Sequence, residues 1–339
     1  MNSTCISDTT YFDSSEFLSS SLHITSAIST PIHLIAIYII LTKTPDFMKS
    51  IKWYLMNLHL WIILFDYSLG ILTIPVLLLP YLAGFPVGLL ANSDVPIILQ
   101  VVWVFTFLAY VHVSITALFE NRFYLICDFS GKNYWTGLRW LWLITHYIAI
   151  GLIFSSFALL VPDQNGALES IFKKLPCLPS NFYKVSMFVL AEDYTYHFWA
   201  CFFIFSTTST EVFTFVCFIC MTFSQQNRRI TTSSRTLNLK KAIFIALIIQ
   251  MSVNAFLHLI PLLYAFISTV YTYYNQKMMN WCTIIISMHG FVSTLVMLLV
   301  HKPYRDTLLG LMKRRSSRSQ STVQNIFSMK VTEMKVCYL

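Results

Sequence analysis

Charge is what this chain has least of. Asp, Glu, Lys and Arg supply 11% of its 339 residues, against about a quarter in soluble globular domains. Beside an apolar content of 56%, that scarcity excludes an ordinary water-solvated fold. No Lys or Arg precedes Lys43, so the amino end lacks the charged start of a cleavable signal peptide. The signatures of catalysis are missing as well. There is no GxSxG, no Walker loop, no paired cytosolic carboxylates and no HExxH or CxxC spacing for a metal. An enzyme is not expected, nor a cofactor.

What the chain has instead is seven long apolar stretches, at roughly 18–42, 53–82, 96–126, 140–162, 198–223, 242–272 and 281–301. Each supplies the ~20 residues that a helix needs to cross ~30 Å of hydrocarbon. The remainder is short loops, with no room for a second folded domain. The predicted fold class is an all-α membrane protein, a seven-transmembrane helix bundle occupying residues 18–302. Residues 1–17 read as an extracellular tail, with the first span as uncleaved insertion signal. Residues 303–312 read as a helix lying in the membrane interface and 313–339 as a basic, Ser-rich cytoplasmic tail.

Orientation follows from where the few cations fall. Nineteen of the 23 Lys and Arg lie in 43–52, 120–139, 224–241 and 302–339, all on one side of the spans. Cytoplasmic loops retain Lys and Arg, so the amino end is expected outside and the carboxyl end inside. The net charge of +8 sits against span ends, which suits anionic lipid and not nucleic acid.

Ionisable groups within the spans are few. Asp66 and Glu211 lie mid-span, where an acid costs roughly 2.5–3.5 kcal/mol to insert. Both are expected to face the bundle interior, and no cationic residue in neighbouring spans offers Asp66 a partner. His112, His258 and His289 are also intramembrane, and interior histidines are more often hydrogen-bonded than metal-bound. Pro31, Pro75, Pro80 and Pro261 fall within spans and predict kinks. Only Cys5 and Cys177 lie clearly in exposed outer segments, where a disulfide persists. Spacing alone leaves a bridge and two free thiols equally open. Asn2-Ser3-Thr4 matches a glycosylation acceptor on that same side.

The inner face carries sharper signals. Span three ends in Glu120-Asn121-Arg122, where an acid two residues before an arginine allows a local ion pair. A helix shift would release that arginine toward a partner; snorkelling to headgroups is the plainer alternative. Pro303-Tyr304-Arg305 follows the seventh span, and the proline stops the spanning helix.

These features together resemble a G-protein-coupled receptor, and in detail the nematode serpentine chemoreceptors of class H. The resemblance runs from about Cys5 to Arg305. It is carried by Pro31-Ile32-His33-Leu34, Leu58-His59-Leu60-Trp61 with Asp66, Leu118-Phe119-Glu120-Asn121-Arg122 and Leu175-Pro176-Cys177-Leu178-Pro179. Ser287-Met288-His289-Gly290 and His301-Lys302-Pro303-Tyr304-Arg305 complete it. The chain departs from the expected pattern at Asn254, where a proline seven residues before Pro261 is anticipated.

That resemblance implies a chemosensory receptor, multi-pass in the plasma membrane of sensory cilia. Its partners would be a heterotrimeric G protein inside and a small odorant- or pheromone-like ligand outside, with membrane lipid around it. It implies a Cys5–Cys177 disulfide, and coupling through Glu120, Asn121, Arg122, Pro303, Tyr304 and Arg305. A ligand cavity is expected between spans three, five, six and seven, lined by Phe107, Tyr110, His258, Tyr264 and His289. A small-solute transporter is the alternative, but no internal repeat of the kind transporters show is visible.

Overall fold

The computed structural model describes residues 10–174, 182, 185–228 and 234–310, the side chains of 228, 234 and 235 excepted. Cys5, Cys177, Asn2 and the tail from 313 therefore lie outside the described residues. Among the described residues, seven helices are long and apolar enough to cross a membrane. In hydrocarbon the backbone must satisfy its own N–H and C=O groups, and a helix does so within one segment. The spans are α1 (Ser15–Lys43), α2 (Lys49–Tyr67), α3 (Ile97–Ile126), α4 (Lys132–Ser155), α6 (Thr195–Arg228), α7 (Ser234–Val270) and α8 (Gln276–Val300). A short α5 (Gln164–Lys174) lies between the fourth and fifth of them.

Local chemistry sets the ends. Ser14 caps α1 by accepting from the Phe17 amide at 3.0 Å, and Asn275 caps α8 by accepting from Met278 at 3.1 Å. Residues 302–310 are helical beyond Pro303. Pro31 and Pro261 do lie inside α1 and α7.

The second span differs from expectation. Its helix runs on through a π-helical segment, Ser68–Thr73, and stops where Ile74 takes a left-handed φ of 42°. Beyond it Pro75 opens a strand instead of kinking a span, and Pro80 lies in the turn that follows. Strands β1 (Pro75–Leu77), β2 (Leu82–Pro86) and β3 (Phe188–Ala191) form an antiparallel sheet in the order β1-β2-β3. Val76, Leu78 and Phe85 of this hairpin pack on Phe17, Leu18, Leu22 and Ile284, closing one end of the bundle. The opposite, basic end is closed by Ile39, Ile51, Leu55, Phe119, Phe244, Met297 and Tyr304.

Helix α3 runs through the middle, touching α2, α4, α6 and α7, while α8 packs on α1 and α7. Outward faces remain apolar. Leu141, Ile144, Ile148 and Leu152 of α4 make one exposed stripe, a face that lipid tails match and water would not.

Candidate functional site

At the basic end the Glu120-Asn121-Arg122 segment is buried, each residue being 5% exposed or less. Glu120 does not pair with Arg122, as the local spacing suggested. Its Oε2 accepts from Arg139 Nη2 at 2.7 Å and its Oε1 from Trp135 Nε1 at 2.7 Å, both on α4. Residues two apart on a helix point to different faces, so the acid looks to α4 and the arginine elsewhere. Arg139 also donates to the Tyr54 hydroxyl at 3.1 Å and to Asn121 Oδ1 at 3.3 Å, and stacks over the Tyr124 ring. Asn121 in turn donates to the Ser50 carbonyl at 3.3 Å. One clamp thus ties α2, α3 and α4 together.

Arg122 is left with its Nε and Nη2 buried and without a hydrogen-bond partner among the described residues. Its charge reaches the two residues that follow α8. Burial first, and then Arg122, hold the His301 imidazole down to about 4, so it is neutral at physiological pH. Burial pushes the Tyr304 phenol up, while its 3.0 Å bond with Thr44 Oγ1 and the Arg122 charge act the other way. Pro303 is half-buried here, and Arg305 is exposed, donating to the Leu299 carbonyl at 3.4 Å. A buried guanidinium with open donor positions can donate to a carbonyl or carboxylate brought close to it.

A second polar site lies mid-bundle. Asp66 does have a partner from a neighbouring span: its Oδ2 is 3.1 Å from His33 Nε2 of α1, and its Oδ1 is 3.6 Å from His289 Nδ1 of α8. Histidine carries no fixed charge, so the sequence does not mark it as the partner of an acid. Thr294 Oγ1 meets His33 Nδ1 at 3.3 Å, and the His59 ring stands 5.2 Å from His33. The strip continues through His258, its ring 4.9 Å from His289, to His112 at 5.5 Å. Glu211 is likewise partnered, by His146 of α4 at 3.1 Å.

Gly290 is what lets α8 approach this site, since a Cβ there would overlap the Asp66 carboxylate. Gly290→Ala is expected to push Asp66 off His33 and destabilise the protein by about 1–3 kcal/mol. Thermal unfolding of detergent-solubilised protein checks this; a wild-type transition would contradict the packing.

Of the five residues expected to line one cavity, the structure brings only His258 and His289 together. Tyr110 donates to the Tyr147 carbonyl at 2.9 Å and packs on Trp61 at 4.6 Å, on the α2–α4 side of α3. Phe107 faces the same Trp61 at 5.8 Å. Tyr264 donates to the Asn275 carbonyl at 3.0 Å in the α7–α8 turn. Which way a ring points from a central helix depends on its neighbours, which span position alone does not reveal. Asn254, where a proline was anticipated, donates to Ser293 Oγ at 3.0 Å and so joins α7 to α8.

Seven spans around a central third helix, with a buried arginine at one end and a polar strip at mid-depth, define a heptahelical membrane bundle. The fold is similar to the crystal structure of squid rhodopsin, with a TM-score of 0.52 and 11% identity over 88% of this chain and 85% of that one. The chain belongs to the serpentine 7TM GPCR chemoreceptor family Srh, whose profile matches residues 13–314. It is 29% identical over 305 residues to serpentine receptor class H-72 of Caenorhabditis elegans, covering 89% of this chain and 87% of that relative.

Proposed function

We propose that this protein is a chemosensory receptor of the plasma membrane of sensory cilia, with its hairpin end outside and its basic end in the cytosol. It binds a small molecule from outside and activates a heterotrimeric G protein. The observation that carries the reading is Arg122, buried at the basic end with Nε and Nη2 unpartnered while Glu120 is tied to α4. The segregation of Lys and Arg supports the orientation, and membership of a chemoreceptor family supports the ligand class.

Coupling runs by population shift. A ligand that prefers one arrangement of α6, α7 and α8 changes how often Arg122 is open to the G protein. Pro261 in α7 is the point at which that helix lacks an internal hydrogen bond and bends most readily. The test is guanine-nucleotide exchange on a purified G protein by the full chain in lipid nanodiscs, with Arg122→Ala as control. Exchange that the variant matches would remove the basic end from the mechanism.

A further inference from the structure

The three histidines between α3, α7 and α8 all turn the same nitrogen to the backbone. Nδ1 of His112 lies 3.0 Å from the Leu108 carbonyl, Nδ1 of His258 2.9 Å from that of Asn254, and Nδ1 of His289 3.0 Å from that of Ile286. A carbonyl only accepts, so each Nδ1 carries the proton and each Nε2 is left as a bare lone pair.

Nε2 of His258 and Nε2 of His289 are sealed from solvent and have no partner among the described residues. The side-chain oxygens of Asn254 and Gln250, on the same side of α7, share that condition. His289 is fully buried, and Asn254 and Gln250 are each 4% exposed. Every one of these orphans is an acceptor. Buried acceptors are normally satisfied, so what this cluster lacks is a donor. A shared metal ion does not fill the role, because no group of three or more His, Cys, Asp or Glu among the described residues is placed to hold one.

The surroundings set the rest of the ligand's chemistry. Phe205 of α6 packs on His112 at 4.7 Å and Phe65 of α2 on His289 at 5.2 Å, so the flanks are aromatic. Among the described residues, the ring contact and the side-chain hydrogen bond found between α6 and α7 are both at the basic end, in Phe223–Phe244 and Lys241–Asn227. Toward the hairpin end these helices turn Phe202, Phe203, Phe256 and Phe266 outward, making an apolar approach from the bilayer.

We infer that His112, His258 and His289 recognise a small apolar molecule bearing an O–H or N–H donor, an alcohol or amine. Aldehydes and ethers of the same size, which only accept, are rejected because they leave the lone pairs unmet. This deepens the receptor reading and rests on it for the ligand's role.

The test uses the full chain in nanodiscs with 15N-labelled histidine and no G protein. The probes are 1-hexanol, hexanal and methyl pentyl ether, which have the same number of heavy atoms. Without a probe, His258 and His289 should show protonated Nδ1 and an Nε2 that accepts nothing. Hexanol, with one O–H to donate, should shift at least one of the two Nε2 resonances and bind about tenfold more tightly than the other two probes. His258→Phe keeps a ring and removes one lone pair. It should reduce hexanol binding roughly 3- to 10-fold and leave ether binding unchanged, with the His33 resonances as the check on folding.

An Nε2–H tautomer at either histidine would overturn the inference. So would an Nε2 already hydrogen-bonded by water in the probe-free protein, or hexanol binding no more tightly than its partners. Binding as described without any nucleotide exchange would instead overturn the receptor reading.

Discussion

Arg122→Ala is expected to abolish G-protein activation while leaving ligand binding and expression close to wild type. Arg122 is 5% exposed and its Nε and Nη2 make no hydrogen bond, so truncating it breaks no ion pair and costs the fold little. A buried guanidinium without a counter-ion is itself unfavourable, and its removal is expected to hold or slightly raise thermal stability. What is lost is the only thing this group is poised to give, a charge-assisted bond to an incoming carbonyl or carboxylate. Such bonds are worth about 1.5–3 kcal/mol each. Losing two from an interface corresponds to a 100-fold or greater fall in coupling. Nucleotide exchange reads the first half of the prediction, and a thermal transition the second.

Arg139→Ala should do the opposite, harming stability first. Its guanidinium is 11% exposed and the Glu120 carboxylate it holds is 3% exposed, 2.7 Å away. Removing one member of a buried ion pair strands the other, a loss of about 3–5 kcal/mol. The bond from Trp135 remains, so a value near 3 kcal/mol is expected. Glu120→Gln strands the Arg139 cation instead, but that guanidinium is the more exposed partner and keeps Tyr54 and Asn121 as acceptors, so the loss should be smaller. Comparing the two transitions separates charge from packing. Equal losses would mean that the clamp acts by shape alone.

These two arginines also show where sequence reasoning stopped. Seven apolar runs and the one-sided Lys and Arg were legible because hydropathy and charge are properties of single segments. The end of α2 was not, because Ile74 to Leu79 is as apolar as the helix before it and only Pro75 and Pro80 mark the change. Pairings across helices were harder still. Glu120 found Arg139 nineteen residues away, Asp66 found His33, and Glu211 found His146. Nothing local announces such partners, although an unpaired mid-membrane acid demands that one exist. Histidine is the signal to search for, since it joins an acid without the insertion cost of a fixed charge. His112, His258 and His289 were singled out individually. That their free nitrogens are all acceptors emerges only once the backbone carbonyls beside them are seen.

The basic end as the G-protein face is the centre of this account, and crosslinking tests it most directly. A photoactivatable residue placed at Arg305, exposed at the basic end, is compared with one at Leu89, exposed near the hairpin. Both variants are held in nanodiscs with a purified heterotrimeric G protein and no nucleotide. A covalent adduct to the Gα subunit is expected from position 305, lost in the Arg122→Ala background, and none from position 89. An adduct from position 89, or none from 305, would contradict it.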